Sequence, residues 1–361
     1  MSPLPDPVPQ SSPPPPRAAP KFLHPYPFDP GYGYSLADLL QVAAPVAPRD
    51  FDGFWEGRYR EARAVDTSPV VGDEEGGRDG SRVFAVAYGS VGGERIGGWL
   101  VLPAEGVPVA YGFVVGHGYG GRDEPGRDLP LPLPGAAALL PCVRGLGTRS
   151  ARPTIPGDAD GHVLHGIGAR ERYVIGGCVA DLWCAASALL DLVPALDWPG
   201  GPRLGYLGES FGGGLGALAL PWDDRFAAAQ LTVPTFGNHP LRLTLPCVGS
   251  GESVRRRHRT HPEVMDVLRY FDAATAATRL RTPTLVAPAL FDPAVPPPGQ
   301  FAVYNALAGP RELRVQTAGH FEHDGTEDEY RQLVAARREF FARQLGRPDL
   351  SRPDLSRPDL G

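Results

Sequence analysis

Between residues 82 and 143 the apolar positions fall on every second residue or in unbroken runs. This spacing predicts strands over residues 82–88 and 96–102, joined through Gly92-Gly93 as a hairpin, then buried strands over residues 109–115 and 136–143. Further along, residues 170–193 read as a long helix, and residues 204–207, 227–233, 284–290 and 312–316 as strands. A helix follows over residues 327–344, and residues 51–64 carry helical apolar spacing near the start. An antiparallel hairpin followed by strands alternating with helices implies an α/β fold with a mostly parallel central sheet and helices on both faces. Residues 234–270 stand between two strands as a lid-like insertion.

The ends of the chain follow no such pattern. Nine of the first twenty residues are proline, and residues 346–361 repeat a short Arg-Pro-Asp-Leu unit too polar to bury a face. The expectation is one folded domain over residues 22–345, with a disordered proline-rich arm over residues 1–21 and a disordered tail.

Candidate chemistry centres on residues 204–214. There a short apolar run breaks into Gly208-Glu209-Ser210-Phe211-Gly212 and resumes as an apolar segment long enough for a helix. Strand, sharp turn and helix around Gly-x-Ser-x-Gly form the setting in which a serine hydroxyl is lifted clear of the backbone as a nucleophile. Such a serine needs an imidazole to take its proton and a carboxylate to orient the imidazole. Asp292 and His320 each lie just past a predicted strand, 82 and then 28 residues downstream, in the order this arrangement requires. Asp292 before a proline also suits a plain turn, and His323 or Glu322 competes with His320. Oxyanion donors are expected from the backbone N–H of Phe211 and, in the glycine-rich His117-Gly118-Tyr119-Gly120 loop, of Tyr119.

Charge and cysteine usage narrow the class. A net charge of −6 and a pI near 5.9 supply no electrostatic footprint for nucleic acid or an anionic membrane. Cys142, Cys178, Cys184 and Cys247 form no C-x-x-C pair and lack metal-ligand spacing, so they are expected as reduced, mostly buried thiols with no metal site. No apolar run approaches the length of a membrane span and no basic start precedes an apolar core, which makes the cytoplasm the expected location.

Together these residues carry a family resemblance over most of residues 50–345. The chain resembles the acetyl xylan esterase and cephalosporin C deacetylase family of carbohydrate esterases. The shared features are Asp50-Phe51 and Trp55, His117-Gly118-Tyr119, Arg144-Gly145 with Gly147, Gly166-Ile167, Gly-x-Ser-x-Gly-Gly at 208–213, Tyr270-Phe271-Asp272, Asp292 with Pro296-Pro297, Tyr304-Asn305, and Gly319-His320. The resemblance implies the α/β-hydrolase fold and cofactor-free removal of acetyl groups from small sugars, such as xylo-oligosaccharides, or from alcohols such as cephalosporin C. It implies Ser210 as nucleophile, Asp292 as acid, His320 as base, Tyr119 and Phe211 as oxyanion donors, and Arg144 as a structural residue near the site. It further implies a cytoplasmic homo-oligomer, a hexamer with its active sites facing an internal cavity.

The chain also departs from that family. Leu146 and Phe211 stand where glutamine is usual, Glu209 where a small residue is usual, and Gly319-His320-Phe321-Glu322 replaces Gly-His-Glu. A less polar site favouring other short-chain esters is therefore expected. Two further classes fit parts of the sequence: a serine peptidase of the same fold, and a binding protein with an inert triad. The basic run Arg255-Arg256-Arg257-His258-Arg259 reads as a solvated face or subunit contact, with an anionic-partner site as the alternative.

Overall fold

The computed structural model describes residues 22–78, 80–197 and 204–346. The expected arm at residues 1–21 and all but the first residue of the expected tail lie outside them. Strands β1 (Val70–Arg78), β2 (Ser81–Ser90), β3 (Glu94–Pro103), β4 (Tyr111–Gly116), β5 (Ala136–Pro141), β6 (Leu204–Glu209), β7 (Phe226–Thr232), β8 (Thr284–Ala287), β9 (Ala289–Phe291), β10 (Arg311–Leu313) and β11 (Gln316–Ala318) follow one another along the chain. Nine of them form one sheet in the order β1-β2-β3-β5-β4-β6-β7-β8-β10. Pairings from β1 to β5 are antiparallel and those from β5 to β10 parallel. The Gly92-Gly93 hairpin forms as expected, both glycines holding positive φ.

β4 and β6, at the centre, are buried at nearly every position. On one face pack the helices Val174–Leu192 and Phe211–Ala219, whose apolar side chains join Phe51 and Trp55 of the helix Phe51–Arg63 in the larger core cluster. On the other face Phe340 and Phe341 of the helix Thr326–Leu345 press on Phe113 and Leu207, with the Phe113 and Phe341 rings 5.1 Å apart. Helix Val174–Leu192 corrects one expectation: by length and composition it could cross a membrane. Here 78% of its apolar window is buried against the sheet, so it is a core helix of this fold.

Two differences from the expected strands bear on the site. β1 has no counterpart in the expected pattern, because all nine of its residues are exposed and no apolar alternation marks an edge ribbon held by pairing with β2. The strand expected over residues 284–290 is two: Pro288 has no N–H for a ladder, so the chain leaves the main sheet after β8 and restarts as β9. The segment expected over residues 312–316 divides likewise into β10 and β11. β9 and β11 then pair in parallel as a separate ribbon, with Gln316 opposite Ala289 and Ala318 opposite Phe291.

Residues 22–34 wrap over this ribbon. Phe22 packs on Phe291 and Phe321 at 5.0 and 5.2 Å between ring centres, and the Asp292 N–H donates to the Pro30 carbonyl at 3.1 Å.

Candidate active site

At the end of β6 the backbone of Ser210 takes φ +54° and ψ −111°, a conformation disfavoured for a residue with a Cβ, and the helix Phe211–Ala219 begins at the next residue. The turn closes only because of its glycines. A Cβ on Gly208 would lie 2.4 Å from the Gly212 carbonyl oxygen, and one on Gly212 would lie 2.7 Å from the Gly116 backbone. The Ser210 N–H donates to the Thr232 carbonyl at 2.9 Å, tying the turn to β7.

The β9–β11 ribbon delivers the other two groups. Asp292 follows β9 directly and His320 sits two residues past β11, so the Ala318–Phe291 register brings the two side by side. His320 Nδ1 lies 2.8 Å from Asp292 Oδ2, and Nε2 lies 2.9 Å from Ser210 Oγ. With Asp292 ionised, Nδ1–H donates to the carboxylate and Nε2 is left to accept the serine proton. His323, the competing histidine, lies 3.7 Å from Glu329 and stacks near Phe22, away from the serine.

Asp292 is fully buried, and its oxygens are saturated by uncharged donors. Oδ1 accepts from the N–H groups of Ala294 and Val295, both at 2.9 Å, and Oδ2 accepts from Gln300 Nε2 at 2.9 Å as well as from His320. Burial disfavours the imidazolium, but the Asp292 charge and hydrogen bond, helped by Glu209, outweigh it, so the His320 pKa is raised above its ordinary value. Gln300 was not anticipated. It sits on the helix Pro297–Ala306 and also bonds the Ala289 N–H and the Val295 carbonyl, contacts that only the return of that helix beneath β9 reveals.

The loop after β4 faces the serine from the opposite side. Tyr119, Gly118 and Gly120 line a cleft of about 520 Å³ together with Ser210, Glu209 and His320. His117 braces this loop as a neutral ring, its pKa pushed down to about 3 by burial and by Arg122. Its Nδ1–H donates to the Gly118 carbonyl at 2.7 Å, and its Nε2 accepts the Val143 N–H at 3.1 Å.

The departures from the family pattern prove unequal. Phe211 is fully buried and stacks on Tyr119 at 4.0 Å, and Leu146 is buried too, so neither makes the cleft less polar as expected. Glu209 alone of the three is exposed and lines the cleft.

Arg144 lies behind the loop, bound to Asp181 at 2.7 Å and to the Val91 carbonyl at 3.1 Å. In the basic run, Arg255 and Arg256 pair with Glu252 of their own helix, Ser250–Thr260. All four cysteines are buried and unpaired, and among the described residues no group of acids, histidines and cysteines could hold a metal ion.

The family model for acetyl xylan esterases matches residues 38–337. An acetyl esterase, Axe7A, of Xylanibacter ruminicola is 23% identical over 304 residues, covering 81% of this chain and 67% of that protein. Among solved structures, an acetyl xylan esterase from Paenibacillus sp. R4 superposes with a TM-score of 0.71 at 27% identity, over 83% of this chain and 99% of that one. Acetyl xylan esterase 1 from Thermoanaerobacterium sp. gives 0.70 at 22% identity, over 84% and 98%. An acylaminoacyl peptidase from Pyrococcus horikoshii shares the fold more distantly, at 0.54 and 17% identity, with 74% of this chain matched to 42% of that one.

Proposed function

The chain belongs to the acetyl xylan esterase family and is a carboxylic ester hydrolase, and from that premise we propose that Ser210, His320 and Asp292 hydrolyse acetyl esters of small sugars through an acyl-enzyme. The observation that carries this reading is the unbroken chain of contacts from Ser210 Oγ through His320 to Asp292, at 2.9 and 2.8 Å, on a strained turn.

In the reaction His320 Nε2 takes the Ser210 proton as Oγ attacks the acetyl carbonyl. The N–H groups of Phe211 and Tyr119 receive the developing oxyanion. Nε2–H then protonates the departing alcohol. Water, deprotonated by the same nitrogen, attacks the acetyl-serine and releases acetate. Asp292 keeps the imidazole in the required tautomer and stabilises it while charged. Acetylated xylo-oligosaccharides are the substrates this reading favours, with alcohols such as cephalosporin C second, and the protein works as a cytoplasmic homo-oligomer. A hexamer in gel filtration is the oligomer expected.

Hydrolysis of p-nitrophenyl acetate and of an acetylated xylo-oligosaccharide by wild type and Ser210→Ala tests the core of the proposal. Wild type is expected to turn over both, and the variant to lose at least about 10⁴-fold in kcat. A folded wild type inert on both esters overturns it.

A further inference from the structure

On the far side of Glu209 lies a second cavity, of about 450 Å³, between the carboxyl ends of β4, β6 and β7 and the helix Thr326–Leu345. That volume falls in the small-molecule range of about 300–1,000 Å³. Glu209 and His320 line both this cavity and the cleft over Ser210, so an ester seated at the serine has an adjoining compartment within reach.

Its lining is charged where a hydrolase core is usually apolar. Gln230 is buried, donates to Thr232 Oγ1 at 3.0 Å, and accepts a short bond from Arg337 Nε. Among the described residues that is the one hydrogen bond the Arg337 side chain makes, and no carboxylate lies within ion-pair distance of it. Burial pushes the pKa of this guanidinium down, against the pull of Tyr330, Glu209 and Asp128. The Arg337 side chain is half-buried, and its terminal N–H donors, without a protein acceptor, are open to an anion that enters the cavity.

Two of the four acids that line the cavity are engaged elsewhere. Asp128 is held by Arg122 at 2.6 Å, and Glu329 by the Thr317 N–H at 3.0 Å. Arg127 adds a second cation, 5.9 Å from the centre of the Tyr330 ring, while exposed Glu209 and Glu322 complete the lining.

We propose that this cavity is a subsite for the alcohol half of the ester, selecting acetylated polyhydroxy carboxylates, of which a sugar acid is the simplest, with the carboxylate on Arg337 and hydroxyls on Glu209. The proposal rests on the acetylesterase reading of Ser210. The planar guanidinium fork matches a carboxylate through two parallel hydrogen bonds, and an ionised glutamate can only accept, which suits hydroxyl donors. Glu209 directly precedes the nucleophile, so a hydroxyl held there belongs to the ring that bears the acetyl group.

The test compares an O-acetylated methyl glucuronide with a free carboxylate, its methyl ester, and p-nitrophenyl acetate, on wild type, Arg337→Gln and Arg337→Lys, with melting temperatures alongside. Wild type is expected to prefer the free acid by about tenfold or more in kcat/KM, carried by KM. Arg337→Gln should erase that preference and leave the p-nitrophenyl acetate rate unchanged, and Arg337→Lys should restore part of it. Equal kcat/KM for acid and methyl ester in wild type overturns the proposal without any variant, as does a preference that survives in a folded Arg337→Gln. Calorimetry of methyl glucuronide on Ser210→Ala reads binding alone: binding that Arg337→Gln removes supports the subsite, and no binding overturns it. Failure of the acetylesterase reading is distinct, because wild type would then be inert on all three esters.

Discussion

Asp181 and Asp292 are both wholly buried and each has both oxygens saturated, yet they are built for opposite ends. Asp181, on the helix Val174–Leu192, accepts from Arg144 through its backbone N–H at 2.9 Å and its guanidinium at 2.7 Å, and from Ser90 Oγ at 2.6 Å. Its charge is cancelled in place. Asp292 meets neutral donors from Ala294, Val295 and Gln300, so its charge is held but not neutralised, and His320 feels it. The lesson is that burial and hydrogen bonding do not by themselves mark a working carboxylate. What separates these two is the partner each charge acts on: a permanent cation cancels Asp181, whereas Asp292 faces an imidazole that can gain or lose a proton.

The contrast can be broken most forcefully at Asp292. Replacing it with Asn keeps the shape but offers His320 the wrong hydrogen-bond partner, so kcat on p-nitrophenyl acetate should fall by about 10⁴. The melting temperature should move little, and a kcat within tenfold of wild type would erase the distinction between the two aspartates. Arg144→Ala should do the reverse. Leaving the Asp181 charge buried and unpaired is expected to cost about 3–5 kcal/mol in denaturant unfolding, while the molecules still folded keep their kcat within about tenfold.

Gln300→Leu falls between the two. It strips one donor from Asp292 and the acceptor from the Ala289 N–H, so a stability loss of about 1–3 kcal/mol should accompany a reduced kcat. An effect on stability alone would mean that Gln300 braces the helix rather than the acid.

The smallest effect concerns pH. In the proposed mechanism His320 acts as the neutral base, and its pKa is raised, so activity should be full above that pKa and disappear as pH falls through it, at a point above the ordinary value of about 6.5. Glu209 contributes to the rise, so Glu209→Gln should move the acid limb to lower pH. A shift to higher pH would contradict the assignment.

Ser210, Asp292 and His320 were legible in the chain because a strained serine turn has an obligatory glycine frame and its partners follow strands in a fixed order. Other features depend on contacts that local pattern does not carry. Arg144 and Asp181 meet across 37 residues of chain, and Gln300 reaches Asp292 only because its helix turns back. β1 escaped because an exposed edge ribbon has no hydrophobic period to read. Pro288 was visible, but that it splits one strand in two, and so lifts Asp292 off the main sheet toward His320, follows only from the separate pairing of β9 with β11.

The bond from the Asp292 N–H to the Pro30 carbonyl has a consequence for how the enzyme comes into being. The segment that braces Asp292 leaves the ribosome early, and Asp292 and His320 leave late. Until the ribbon of β9 and β11 appears beneath it, the Pro30 carbonyl has only water to accept from. The active site is therefore among the last parts of the molecule to be completed, and ester hydrolysis reports that the chain has joined its early and late segments.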